Sequence, residues 1–361
     1  MAAQLKDIYT KQYIENLATK IKNIFTSFDE KSFINSIFDN NWENLELKQR
    51  IRHICVTLHN SLPFSYKKQL EILETISKDF SGYEAIFFQD FVEVYGLEQF
   101  ELSMKALEIF TQNSTSEYAI RKFIIKYEEK TMNQMKIWAK SSSEDTRRLA
   151  SEGCRPRLPW GVALENFKKN PKKVLQIIEL LKNDDSKYVQ KSVANNLNDI
   201  SKDNPACVID FVKNNLGKSK NLDWICKHAS RTLLKKGEKR VLELFGYQDS
   251  SHVEIINFNW DKKVKIDDFL NFSFDLKSDN PLGNIRVEYA IFYKRANNKH
   301  NKKLFMISQN LIKDKTKRFC KKQSFKNMST RKHYEGEHFI SIIINGEEKI
   351  KKEFTLYDTC Y

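Results

Sequence analysis

A chain of 361 residues with 40% hydrophobic content is long enough for one large or two ordinary domains with real cores. Its 61 Lys and Arg outweigh 47 Asp and Glu, and the net charge of +14 favours an anionic partner, nucleic acid before membrane, through counterion release at phosphates. No stretch approaches the roughly 20 apolar residues of a spanning helix and no early segment joins a basic start to an apolar run, so membrane insertion and secretion are not expected. The six cysteines are scattered without a Cys-x-x-Cys pair, and although Cys55 and Cys226 each lie two residues from a histidine, no second ligand pair follows at metal spacing. His333 and His338 likewise lack partners. The expectation is a cytoplasmic protein with reduced thiols, no metal and no cofactor.

Residues 1–110 read as helices throughout. Leu5, Ile8, Tyr9, Ile14, Leu17, Ile21 and Ile24 fall on helical spacing, and a further helix over 29–38 follows a capping region at Ser27 to Asp29. Ile51, Ile54, Leu58 and Leu62 form another stripe that stops before Pro63. The aromatics of EAIFFQDFVEVYG and LEQFELSMKALEIF are read as packing between helices.

From Ser114 the pattern carries polar residues of interest. STSEYAIRKFI opens with cap-type hydroxyls and places Glu117 in what reads as a first helical turn, where the helix dipole favours an acid. DTRRLASEGCRPRLPW, SKYVQKSVANNLNDISKDNP and LDWICKHASRTLLKKG each read as one amphipathic helix. They hold Arg148, Lys191 and Lys227 in one register at intervals of about 40 residues, the spacing of two-helix HEAT-like repeats that bury their apolar faces by stacking. Basic residues on this face alternate with the carboxylates Glu152 and Asp199 one or two turns on, and Trp160 sits between Pro159 and Gly161 in a loop from which it can project.

After Gly246 helical periodicity gives way to alternation. Leu270, Phe272, Phe274 and Leu276 share one face, as do Val287, Tyr289, Ile291 and Tyr293 on a later strand, and Asn345-Gly346 between two strand-like runs is a strong hairpin signal. Seven candidate strands in about 100 residues read as a sandwich. The lysines and arginines from Lys299 to Lys332 fall between strands, where charge also protects sheet edges.

RRLASEGCRPRLPW, YVQKSVANNLNDISKDNP and SEYAIRKFI resemble the DNA alkylation-repair glycosylases of the AlkC type, in the wider AlkC/AlkD superfamily of HEAT-like proteins. The resemblance runs from ELKQRIRHI through ASEG and VANNLND to KHASRTLLKKG and so covers most of residues 1–250. It implies an α-helical HEAT-like repeat solenoid over 1–250, then a small all-β immunoglobulin-like sandwich over 253–361, expected to clamp the far side of the duplex. The implied activity is excision of cationic N3-alkylated bases, 3-methyladenine and 3-methylcytosine, from double-stranded DNA without flipping the base. The catalytic set carried over is Glu117, Glu152, Trp160 and Asp199, with Arg148, Arg155, Arg157, Lys191, His228 and Arg231 as DNA contacts. Lys122 departs from the family pattern, in which an apolar residue or Pro follows Ile-Arg. No obligatory protein partner is implied, and a monomer is expected. Two other readings use the same residues: a non-catalytic HEAT-repeat binder of distorted or branched DNA, which needs the basic face but not the acids, and a protein scaffold, which would show an apolar groove.

Overall fold

The computed structural model describes residues 4–328 and 331–358, in two compact units that divide between Ala229 and Ser230. Cys360 lies outside the described residues; Cys55, Cys154, Cys207, Cys226 and Cys320 are free thiols. No helix among the described residues is long and apolar enough to cross a membrane.

The first unit is helical from end to end. Its first half holds α1 (Lys11–Ile24), α2 (Glu30–Ile37), α3 (Leu47–Ser61), α4 (Tyr66–Ile76), α5 (Ile86–Tyr95) and α6 (Phe100–Phe110). Its second half holds α7 (Ile120–Lys126), α8 (Glu128–Trp138), α9 (Glu144–Glu152), α10 (Glu165–Lys169), α11 (Lys172–Leu181), α12 (Lys187–Ile200), α13 (Pro205–Asn215) and α14 (Lys220–Ala229). The stripe from Leu5 to Ile24 is broken where periodicity alone would run through: Leu5–Ile8 is a 3₁₀ turn, and Thr10 opens α1 by accepting from Tyr13 N at 3.2 Å. The hydroxyl satisfies an amide that the start of any helix leaves without a partner. Asp29 caps α2 in the same way, accepting from Ser32 N at 3.0 Å. Ile51, Ile54, Leu58 and Leu62 are buried, as their spacing predicts. The recurring face is laid out by stacking, since α9 packs on α12 and α12 on α14.

In the second unit α15 (Arg231–Lys236) and α16 (Lys239–Leu244) precede the strands, although their sequence groups them with the repeats. They belong here because the turn between them packs on a β-hairpin. Gly237, at φ 71°, lies so close to Gly346 that a Cβ would stand 2.9 Å from its carbonyl oxygen. The strands are β1 (Glu254–Trp260), β2 (Lys263–Lys265), β3 (Phe269–Lys277), β4 (Gly283–Lys294), β5 (His300–Ile312), β6 (Thr316–Ser324), β7 (Gly336–Ile344) and β8 (Glu347–Tyr357). They form a three-stranded sheet in the order β1-β3-β6 and a five-stranded one in the order β2-β8-β7-β4-β5. Leu270, Phe272, Phe274 and Leu276 meet Val287, Tyr289, Ile291, Ile340 and Ile342 between the sheets. Seven strands match the expectation; β2 escaped it because three residues, paired parallel to β8, carry no alternation to detect. Asn345 and Gly346 have φ of 47° and 83°, the left-handed pair that a two-residue hairpin turn requires.

Candidate functional site

Two serine caps set the geometry. Ser143 starts α9 by accepting from Thr146 N (3.4 Å) and Ser186 starts α12 by accepting from Tyr188 N (3.2 Å). Arg147 then fixes the helices against each other, its Nε and Nη2 donating to Asp184 Oδ2 and Oδ1 at 2.6 and 3.1 Å, and Asn196 Nδ2 donates across the seam to the Ser151 carbonyl at 2.8 Å. With the helices in that register, Glu152 at the end of α9 and Asp199 near the end of α12 fall side by side.

Glu117 joins them by another route. It lies in the turn that runs into α7, where the Ser116 carbonyl accepts from Ile120 N at 3.2 Å and the Ser116 hydroxyl donates to the Leu107 carbonyl at 2.7 Å. Its carboxylate is held by tertiary partners as well. Thr115 Oγ1 donates to Glu117 Oε2 at 2.5 Å and accepts from Arg148 Nη1 at 2.9 Å.

The three acids and two arginines form one alternating row. Arg148 is ion-paired with Glu117 through Nη1 and stands 3.6 Å from Glu152 Oε1 through Nη2. Arg155 donates from Nη1 to the same Glu152 oxygen (2.5 Å) and from Nε to Asp199 Oδ2 (2.8 Å). Ser192 donates to Glu152 Oε2 at 2.6 Å and Lys202 to Asp199 Oδ1 at 2.9 Å. Glu117, Glu152 and Asp199 are only 6%, 5% and 1% exposed. Of their six oxygens, five are hydrogen-bonded; among the described residues Glu117 Oε1 takes no hydrogen bond.

Burial pushes the Glu117 carboxyl above the usual carboxylate range; Arg148 opposes that shift and Glu152 reinforces it. For Arg148 burial works against the charge, yet Glu117 and Glu152 together hold the guanidinium more basic than usual, and Glu152 and Asp199 do the same for buried Arg155. The row is therefore a set of mutually stabilised ions in a low-dielectric setting.

Trp160 stands apart from this row on the loop between α9 and α10. Its backbone is left-handed (φ 65°), its side chain is 59% exposed, and Lys48 from α3 donates to its carbonyl. Arg121, fully buried in α7, shapes the loop: Nε donates to the Val162 carbonyl (2.6 Å) and Nη1 to those of Gly153 (3.0 Å) and Arg155 (2.8 Å). Burial lowers its pKa to about 10, so the contacts are made at the cost of guanidinium solvation.

The expected DNA contacts divide. Arg148 and Arg155 are inside the carboxylate row, where buried acids have first claim on their donors, so they hold the acids instead of presenting a free surface charge. Arg157 is exposed and donates from Nε and Nη2 to Asp203, at 2.7 and 2.6 Å. Lys191 is exposed on α12, and half-buried His228 on α14 stacks on Trp224 (centroids 5.0 Å apart) with Nε2 3.1 Å from Asn195 Oδ1. Arg231 begins α15 in the second unit. Sequence reasoning passed over Arg121, Lys48, Tyr118 and Tyr188. Tyr188, half exposed, carries the Arg148 guanidinium over its ring at 5.0 Å, and its place beside the serine cap of α12 was the one available signal. No group of His, Cys, Asp and Glu that could hold a metal occurs among the described residues. In the second unit His338 is engaged at both ring nitrogens, by Lys294 N (3.3 Å) and the Tyr334 carbonyl (2.9 Å).

Both units match known proteins. Residues 89–236 match the family model described as DNA alkylation repair enzyme, and residues 254–358 match that of the YhaZ C-terminal Ig-like domain. The chain is 43% identical over 354 residues to the uncharacterized protein YhaZ of Bacillus subtilis, covering 98% of this chain and 99% of that one. Its structure superposes with a TM-score of 0.94 and 32% identity on the alkylpurine DNA glycosylase AlkC of Pseudomonas fluorescens, solved bound to DNA containing an abasic site analog, over 98% of this chain and 100% of that one. The chain belongs to the DNA alkylation repair enzyme family, in the AlkC-like form that carries an Ig-like domain behind its helical repeats.

Proposed function

We propose that this protein is a DNA glycosylase that excises cationic N3-alkylated bases, 3-methyladenine and 3-methylcytosine, from double-stranded DNA while the base stays stacked. The observation that carries the reading is the row Glu117–Arg148–Glu152–Arg155–Asp199, which gathers three acids from three separate segments. The similarity to an alkylpurine DNA glycosylase supports it.

An N3-alkylated base already carries positive charge and leaves without much help from a general acid. What remains is to stabilise the cation that develops on the deoxyribose and to hold a water at its anomeric carbon. Glu117 is the acid assigned to the water, since its Oε1 is the oxygen without a hydrogen bond among the described residues. Glu152 and Asp199, held at both oxygens, supply fixed negative charge that need not reorganise during the reaction. Three acids set against Arg148, Arg155 and Lys202 leave the cluster near neutrality, so it does not repel the approaching phosphates. Trp160 offers an electron-rich face to the cationic nucleotide, a contact of about 1 kcal/mol or more once water is excluded. Arg157, Lys191 and His228 serve as phosphate contacts in the helical unit.

The test is incubation of the purified protein with duplexes bearing 3-methyladenine or 3-methylcytosine, followed by assay for free base and an abasic site. Asp199→Ala and Glu117→Ala, in protein that still folds, are expected to lower release on the order of 10²-fold or more. Full release by both variants, or none from either lesion by the parent, overturns the reading.

A further inference from the structure

Wholly within the first unit lies a cavity of about 650 Å³ that shares Trp160 with the excision site and is otherwise lined by residues to which that chemistry gives no role, Tyr83, Tyr118, Lys48 and Lys122 among them. We propose that it is a receptor for one unpaired nucleotide of the damaged duplex, the one left opposite the lesion. The proposal rests on the reading that the protein acts on damaged DNA and adds a second site to it.

Aromatic faces form the mouth. Trp160 and Tyr83 are 59% and 48% exposed with ring centroids 6.4 Å apart and tilted by 57°, and Tyr118 lines the same cavity. Flat π-faces set in a concavity suit a base that has left its stack; a paired base presents only its edge there. The volume falls in the range of small-ligand sites.

Charge on the walls selects an anion-bearing ligand. Arg52 is satisfied internally, bound through two nitrogens to Asp90 at 2.6 and 2.8 Å and 3.4 Å from Glu93. Lys122 is exposed and makes no ion pair among the described residues, and Lys48 at the other side holds the Trp160 carbonyl with its ammonium 5.9 Å from the Tyr118 ring centroid. Lysine ammoniums and stacking faces on one wall match a nucleotide, which brings a phosphate and a base together. The Trp160 backbone is left-handed and its carbonyl is tied to Lys48, which holds the loop that carries the indole.

The cavity also adjoins the acid row. Tyr118 follows Glu117 in the chain and lies within the field of Glu117, Glu152 and Arg148. A nucleotide held here would keep the space opposite the lesion open while the acids act on its sugar. Capture of the opposing nucleotide leaves the lesion itself stacked, so the two sites work on opposite strands.

The experiment uses the full-length protein and a duplex containing a stable abasic-site analogue, with 4-thiothymidine placed either opposite the analogue or three positions away. Photo-cross-linking is expected to reach the peptides that contain Tyr83 or Trp160 only from the opposing position. Equal cross-linking from both positions, or none to those peptides, overturns the proposal. In parallel Tyr83→Ala, at an exposed position that leaves the core intact, is expected to weaken binding to the abasic duplex by about 5- to 100-fold, the loss of one base–aromatic stack, and binding to undamaged duplex less than twofold. Equal weakening of both duplexes also overturns it. The excision assay separates the two ideas: base release with Tyr83-independent binding sinks the receptor alone, whereas position-specific cross-linking without base release sinks the glycosylase reading and leaves the receptor standing.

Discussion

Glu117 is pulled in two directions, by burial that raises its pKa and by an ion pair with Arg148 that resists the rise. Since burial is the larger effect, protonation in the folded protein occurs above the value of about 4.3 for a free glutamate. Excision should therefore fail on the acid side with a midpoint above that figure, before the protein unfolds. The linkage runs the other way for stability: a raised folded-state pKa favours the fold below the unfolded value and loses that advantage as pH rises through the folded one. Glu117→Gln should thus gain stability relative to the parent as pH rises through that window, a difference that urea denaturation at pH 4, 5.5 and 7 would read; a constant difference would show that the carboxyl is not perturbed. Arg155 and Arg157 allow a sharper comparison, because two residues apart they make opposite kinds of ion pair. Arg155→Ala leaves Glu152 and Asp199 buried without their shared donor and should cost about 3–5 kcal/mol. Arg157→Ala breaks an exposed pair with Asp203 and should cost about 1 kcal/mol or less by the same denaturation.

At the level of elements, the helices and strands were legible because each has a periodic face, and so were the acids, because Glu152 and Asp199 sit on helices whose register repeats. What the sequence could not show is who holds whom. Arg148 and Arg155 read as surface cations, yet their partners are Glu117 and Asp199, which the fold brings in from distant segments. Glu117 read as a helix-start acid because Ser and Thr precede it; what that reading could not show is that the Thr115 hydroxyl braces the carboxylate while that of Ser116 ties the turn to the Leu107 carbonyl. Arg121 was invisible for the same reason, since nothing local reveals that its guanidinium spans both ends of the loop from Gly153 to Val162. It acts as a positioning residue. Arg121→Lys keeps a charge but replaces a planar fork by a single ammonium that cannot reach three separated carbonyls. The loop should become more open to proteolysis, Trp160 emission should shift, and kcat for base release should fall more than DNA affinity does. Loss of affinity alone, with kcat intact, would assign Arg121 to binding instead.

Across the whole molecule, each unit hides arginine in ion pairs, Arg155 with Glu152 and Asp199 in the helical unit and Arg286 with Glu288 in the β unit, while the β unit also displays cations on an edge strand. Strand β6 is an edge of the three-stranded sheet, and Lys317, Arg318, Lys321 and Lys322 along it are exposed. Two physical roles compete for them: like charges on an open edge prevent strand-to-strand association, and cations grip phosphates. Each role leaves a distinct trace. If they grip phosphates, replacing all four by Gln should lower the slope of log affinity against log salt by roughly 0.9 for each duplex phosphate that is no longer neutralised, with the melting temperature unchanged because the side chains contribute nothing to the core. If they only guard the edge, the salt slope will stay where it is and the variant will associate as its concentration rises. Binding titrations across a range of salt, run beside light scattering of the same samples, decide between the two. The expected outcome is the reduced slope, because these four residues make no ion pair among the described residues except the long 3.9 Å contact of Arg318 with Asp275, and a cation without a counter-charge in its own fold is available to the duplex.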